Sequence, residues 1–315
     1  MRGLLRNGLV LSLLVLIPIA ALAQGAPFMG NAACGGAGYG SCGPTPKAFV
    51  PGVEFSVGWV DHRAGVVRDV ADEEEGLVQR AQWPLRGVLL GLSAGSRLGD
   101  RLVVRLSGSY LLSSNASGKV DLHGNTGGFP GWDFTPKDQW SVIEAAASYD
   151  LGVCGVVGGF RWDHFNTRLS GDPLAGAGDP FELDVKANAY LPFIGVSVSR
   201  YHITATFIGS PVVPGSLKTS SVNERAGGSE TFNSSGDYSD GYFLEGSVEF
   251  NAKFRRIYGL GGFVKWTTLH AKVEDVDEEG GFQNVVFPSF AVSETLNKTA
   301  WIFGVNFNLD LPSIM

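Results

Sequence analysis

The last extended stretch of the chain, Thr299 to Leu309, reads TAWIFGVNFNL. Trp301, Phe303, Val305, Phe307 and Leu309 take every second position, with Ala300, Ile302, Gly304, Asn306 and Asn308 between them. Alternate side chains of a β-strand point to opposite faces, so one face here is continuously apolar and rich in aromatics. The other face is small or polar apart from Ile302. An apolar face of that length needs an apolar solvent. In a two-sheet sandwich the second sheet supplies it; in an outer-membrane barrel acyl chains do.

The N-terminus favours export. Arg2 and Arg6 precede an apolar run from Leu9 to Ile17, and Ala21-Leu22-Ala23 supplies small residues for cleavage before Gln24. This is the pattern of a secretory signal peptide over residues 1–23, and the run is too short for a spanning anchor. Residues 24–50 are rich in Gly, Ala and Pro and read as a periplasmic lead-in, leaving 51–315 as one β-domain. After Gln24 no apolar run approaches the length of a spanning helix, so membrane residence would require a closed barrel. Without Arg2 and Arg6 the chain keeps 22 basic against 31 acidic residues, a formal charge of −9 with no basic run. That excludes a nucleic-acid surface.

Cys34 and Cys42 lie in CGGAGYGSC and are spaced to close a small disulfide loop in an oxidising compartment. No histidine neighbours them, and the acidic runs 72–75 and 274–279 lack a spaced ligand pattern, so neither a metal nor a cofactor is expected.

From Val53 onward, alternation recurs ten times. The first nine strands are centred on 53–59, 86–94, 102–112, 143–149, 156–162, 185–198, 203–207, 242–250 and 258–266. The links alternate strictly. Short ones fall at 95–100, 150–152, 199–200 and 252–255; long polar ones cover 61–84, 113–139, 166–184, 210–240 and 270–298. Short periplasmic turns, five long external loops and an even strand count define a transmembrane antiparallel β-barrel in the bacterial outer membrane. A soluble sandwich has no reason to make every second link so long.

One strand breaks the pattern. Val185, Ala187, Ala189 and Leu191 alternate with Lys186, Asn188 and Tyr190, but beyond Pro192 the apolar parity moves to Ile194, Val196 and Val198. A residue inserted at a bulge near Pro192 would produce that change, and proline lacks a ladder donor. On this reading the lumen wall carries Glu54, Arg105, Glu144, Arg161, Asp163, Lys186, His202, Glu245, Glu249 and Lys265. Ten strands lie near the size at which side chains fill a barrel, so these mixed charges are expected to pair and plug it. A narrow solute channel is the alternative.

Ten strands, five tall loops and a mature chain near 290 residues resemble the omptins, the outer-membrane endopeptidases. Leu191-Pro192-Phe193-Ile194-Gly195-Val196 is similar to the proline–aromatic–Ile–Gly segment of their sixth strand, and Ala300 to Leu309 falls where their closing strand falls. The resemblance implies an Asp-x-Asp pair on one rim and an Asp-His pair on the facing rim, activating water for peptide hydrolysis. Asp121-Leu122-His123 matches the first pair only in Asp121. The stretch after strand seven, Ser220 to Arg225, holds no histidine. The expected general base is missing there, so an interactive or structural role is favoured over a rearranged site built on Asp121 and His123. The expected partners are membrane lipid, lipopolysaccharide and a ligand outside the cell.

Overall fold

The computed structural model describes residues 50–70, 77–98, 101–114, 118–123, 132–152, 154–173, 181–200, 202–225, 228–253, 258–274, 276–282, 285–287 and 291–310. The signal peptide, the lead-in with Cys34 and Cys42, and the acidic run 72–75 lie outside the described residues.

Fourteen strands form one antiparallel sheet: β1 (Val50–Val70), β2 (Leu77–Leu98), β3 (Leu102–Ser114), β4 (Gly118–His123), β5 (Trp132–Asp150), β6 (Cys154–Pro173), β7 (Phe181–Arg200), β8 (Ile203–Ser210), β9 (Gly215–Arg225), β10 (Gly228–Lys253), β11 (Tyr258–Val273), β12 (Asp277–Phe282), β13 (Val285–Phe287) and β14 (Ala291–Asp310). Several are pieces of one stave. β4 continues the line of β3 between β2 and β5, β9 continues β8 between β7 and β10, and β12 continues β11 beside β10. The result is a ring of ten staves, closed by β14 against β1 and by β11 between β10 and β14. Among the described residues each of the ten staves is paired on both sides, the condition for a sheet to sit in lipid, and β13 extends beyond the ring from β12.

The aromatic strand behaves as its alternation requires. Phe303, Val305 and Phe307 are exposed on the outside of the ring, whereas Ala300, Ile302 and Asn306 are buried inside it. Across the ladder, Phe55, Val57 and Trp59 on β1 continue the outward apolar surface. Trp162, Tyr190, Tyr242, Trp266 and Trp301 sit where outward residues change from apolar to polar, and Phe250, Tyr258 and Phe307 lie nearer the short links. Two aromatic girdles around an apolar band are what a bilayer's two interfaces select.

About 9–11 tilted residues suffice to cross the hydrocarbon. β1 has 21 residues, β2 has 22 and β10 has 26. Much of what reads as loop in the sequence is therefore barrel wall, continuing beyond the membrane at the long-link end. Among the described residues the link between β5 and β6 falls in its expected place. At Asp150-Leu151-Gly152, Gly152 has φ +112°, a value glycine adopts without strain, and its N–H donates to Asp150 Oδ1 at 2.7 Å.

The bulge at Pro192 is not there. β6 and β7 pair without a register shift from Cys154↔Val198 to Gly171↔Phe181. Val185 is 0% exposed and Ile194 66%, yet they belong to opposite faces of one regular strand. The faces keep their direction; the solvent changes. Beyond the membrane the outside is water and the inside is apolar, so the hydrophobic parity inverts with no inserted residue. Lys186 consequently points outward and is not part of the lumen wall. His202 is also outside, exposed in the β7–β8 link with its ring edge-on to outward-facing Phe250.

Candidate functional site

Eight of the expected wall residues do face the lumen: Glu54, Arg105, Glu144, Arg161, Asp163, Glu245, Glu249 and Lys265. Their placement follows from register. Glu144 on β5 lies directly across from Arg161 on β6, and Arg105 on β3 stands one stave further round. Arg105 Nη2 is 3.5 Å from Glu144 Oε1, and Arg161 Nη1 is 3.9 Å from Glu144 Oε2. Arg161 then reaches across the interior, where its Nη1 donates to Glu245 Oε2 on β10 at 2.6 Å. Lys265 on β11 holds the other oxygen of Glu245 at 3.0 Å.

Sequence reasoning missed one member of this network. Lys298, on β14, falls in a stretch that reads as polar loop, but it is inward and only 3% exposed. Its Nζ lies 2.5 Å from Asp163 Oδ1, which also accepts the Trp140 indole N–H at 3.0 Å. Arg161 Nη2 donates to Asp163 Oδ2 at 3.2 Å. β6 and β14 are five staves apart in a ring of ten, so the Lys298–Asp163 pair spans the width of the lumen. The ammonium also sits 4.1 Å from the Trp140 ring centroid, and the Arg161 guanidinium 4.9 Å from that of Phe243. Each cation is thus held by a carboxylate on one side and a ring face on another.

Above this layer the interior becomes apolar. Val60, Trp83, Trp140, Phe165, Leu169, Val185, Leu191, Leu217, Phe243, Leu269 and Leu296 form one buried cluster. His62 is packed within it, stacked on Trp140 at 5.2 Å between ring centroids and edge-on to Phe165 at 5.7 Å. Neither nitrogen of His62 has a hydrogen-bond partner among the described residues. One further polar knot lies inside. Glu294, 1% exposed, accepts from Thr219 at 3.0 Å and Ser234 at 2.7 Å.

Asp121 and His123 both lie on β4, two residues apart and so on one face of the strand, with Arg80 and Val78 of β2 across from them. β4 belongs to the third stave and β9 to the seventh, on the far side of the ring. On β9, Leu217, Thr219 and Ser221 are buried. No described histidine side chain is hydrogen-bonded to a carboxylate. His164 and His270 face outward and pair with Asn188 at 2.8 Å and Asn297 at 2.7 Å.

No family model matches the chain, and no curated protein sequence matches it. Its fold does have solved counterparts. The outer membrane protease OmpT of Escherichia coli superposes with a TM-score of 0.68 at 11% identity, over 83% of this chain and 97% of that one. This protein is a bacterial outer-membrane β-barrel. Its architecture is the ten-stranded one of OmpT, an omptin, and at this identity the likeness is one of fold alone. Two other outer-membrane proteins match more loosely. The translocator domain of the autotransporter NalP from Neisseria meningitidis has a TM-score of 0.37 at 12% identity, over 80% of this chain and 87% of that one. OprG from Pseudomonas aeruginosa has a TM-score of 0.33 at 10% identity, over 84% and 98%.

Proposed function

We propose that the barrel is non-enzymatic and serves as an interaction or structural protein of the outer membrane, presenting its tall end to ligands or partners outside the cell. The observation that carries this reading is the lumen. A network of paired charges crosses it from β6 to β10 and from β6 to β14, and an apolar layer fills the space above. Paired charges under a packed hydrophobic layer oppose solute conduction, because a permeating solute would have to displace both. The chemistry of the rim points the same way. Peptide hydrolysis on an omptin plan needs an imidazole held by a carboxylate on the wall facing β4, and Ser220 to Arg225 of β9 supply no histidine.

Two assays on detergent-refolded protein test the reading. With lipopolysaccharide and dibasic peptides present, no cleavage is expected. Cleavage that disappears in His123→Ala would transfer the function to a rearranged peptidase site on Asp121 and His123. In planar bilayers the expected record is flat, and reproducible single-channel steps would make the protein a narrow solute channel.

A further inference from the structure

His62 stands where the polar and apolar layers of the lumen meet. It is 0% exposed on β1, across the ladder from Ala300 of β14 and Leu85 of β2. Ala300 directly precedes Trp301 of the aromatic girdle, so the imidazole lies just beyond the apolar band, in the tall half. It is held between the rings of Trp140 and Phe165, with no hydrogen-bond partner for either nitrogen among the described residues. Trp83 Nε1 and the Tyr238 hydroxyl, in the same packing, are also without partners there. Of these three groups only the imidazole can take up a proton near neutral pH.

Among the described residues two charged groups act on the imidazole, Lys298 of β14 and Asp163 of β6. Its ladder partners Ala300 and Leu85 carry no charge, and β5 brings the Trp140 ring. Asp163 is already engaged on both oxygens. Oδ1 accepts from Lys298 Nζ at 2.5 Å and from the Trp140 indole at 3.0 Å, and Oδ2 accepts from Arg161 at 3.2 Å. The Lys298 ammonium sits 4.1 Å from the centroid of the same Trp140 ring on which His62 stacks. Enclosure, and then Lys298, hold the imidazole well below its ordinary value, and Asp163 offsets them only in part. Burial brings Lys298 down to about 8, so it stays charged at and below neutral pH.

We propose that His62 is an acid-operated switch between the two halves of the barrel: on taking up a proton it opens the apolar layer around it and loosens the tall half, while the membrane half stays closed. An imidazolium brings two N–H donors and a second cation beside Lys298 into a layer of ring and aliphatic carbon. Asp163 has no free oxygen to offer it, so the charge is accommodated only when water enters the layer. In the open form the imidazole takes up protons at its ordinary value of about 6.5. The closed form, whose imidazole resists protonation, is therefore favoured above that pH. Below it, each unit of acidification favours the open form by about tenfold until the enclosed imidazole is itself charged. The ion pairs of Glu144, Arg161, Glu245 and Lys265 beneath the layer do not involve His62. The inference rests on the reading of the tall end as the part that meets partners, since acid would then change what is presented to them.

The test is thiol reactivity in the full chain folded in lipid vesicles, with serine at the three native cysteines and one reporter at a time. Ala271→Cys, fully buried in the apolar layer, reports on the tall half, and Ser197→Cys, buried nearer the short links, reports on the membrane half. Dithiodipyridine reacts with thiols in acid as well as at neutrality, and each rate is divided by that of the unfolded chain at the same pH. Protection at Ala271→Cys should fall by about tenfold per unit below about pH 6.5, while Ser197→Cys stays protected. In a His62→Phe background Ala271→Cys should keep its protection in acid, and His62→Leu supplies the same comparison should the phenylalanine variant fail to fold. Protection that does not fall in acid, or that falls equally without His62, would overturn the switch. Parallel loss at Ser197→Cys would overturn it too, because the whole barrel would then be unfolding. Failure of the interactive reading itself would show separately, as cleavage or channel steps from the native chain at neutral pH.

Discussion

Strand β7 passes through two environments, and its two halves are built oppositely. Toward Arg200, Ile194 and Val196 point out into acyl chains while Ser197 and Ser199 are buried inside. Toward Phe181, Val185, Ala187 and Ala189 fill the interior while Lys186 points out into water. β6 repeats the contrast: Phe160 is outward and Arg161 inward in one half, Arg168 outward and Leu169 inward in the other. The membrane half is thus a polar-cored cylinder and the tall half an apolar-cored one, stacked on common strands. Each half buries its apolar surface where water is absent, so the difference comes from the surroundings and not from the backbone.

That contrast can be broken most strongly at the layer between the halves. Arg161→Ala leaves Glu245, Asp163 and Glu144 short of a common partner inside the lumen, and should lower stability by about 3–5 kcal/mol in urea unfolding from lipid vesicles. In the tall half the stabilising material is ordinary hydrophobic packing. Leu217→Ala, fully buried there, should cost about 2–5 kcal/mol in the same assay. In the membrane half the outer face is what matters. Val305→Arg places a charge in the apolar band and should cost about 2–4 kcal/mol, whereas Lys186→Ala on the outside of the tall half should leave the unfolding midpoint where it was. A change of opposite sign sharpens the picture by stabilising. His62→Phe keeps the stacking on Trp140 while removing two ring nitrogens that have no hydrogen-bond partner among the described residues, and should raise stability by about 1–3 kcal/mol. A fall in stability on that substitution would mean that His62 makes a polar contact essential to the cluster.

The membrane half was legible in the sequence because its alternation is strict and its solvent constant. Trp301 to Leu309, and Val53 to Trp59 beside it, could be assigned to faces from residue types alone. The tall half was not. Hydrophobic periodicity reports which face is apolar, and that face is outside near Ile194 but inside near Val185, so a regular strand looked interrupted at Pro192. The same inversion placed Lys186 in the lumen and hid Lys298, whose surroundings of Asn297 and Thr299 read as an exposed link. His202 was misplaced for a simpler reason: it lies in the β7–β8 link, where strand alternation no longer governs direction. The cross-lumen pairs were half visible. Their residue types could be listed along the strands, but Arg161 meeting Glu245 and Lys298 meeting Asp163 depend on which staves end up opposite.

The inversion without a bulge is tested most directly by spin labels placed one at a time from residue 184 to 196 of β7. The background chain would carry serine at all three native cysteines, and the folded protein would be held in lipid vesicles. Accessibility should peak at even positions throughout, to a water-soluble nickel reagent up to about Asn188 and to membrane-dissolved oxygen from about Tyr190 onward. A profile whose peaks move from odd to even positions across Pro192 would contradict the account.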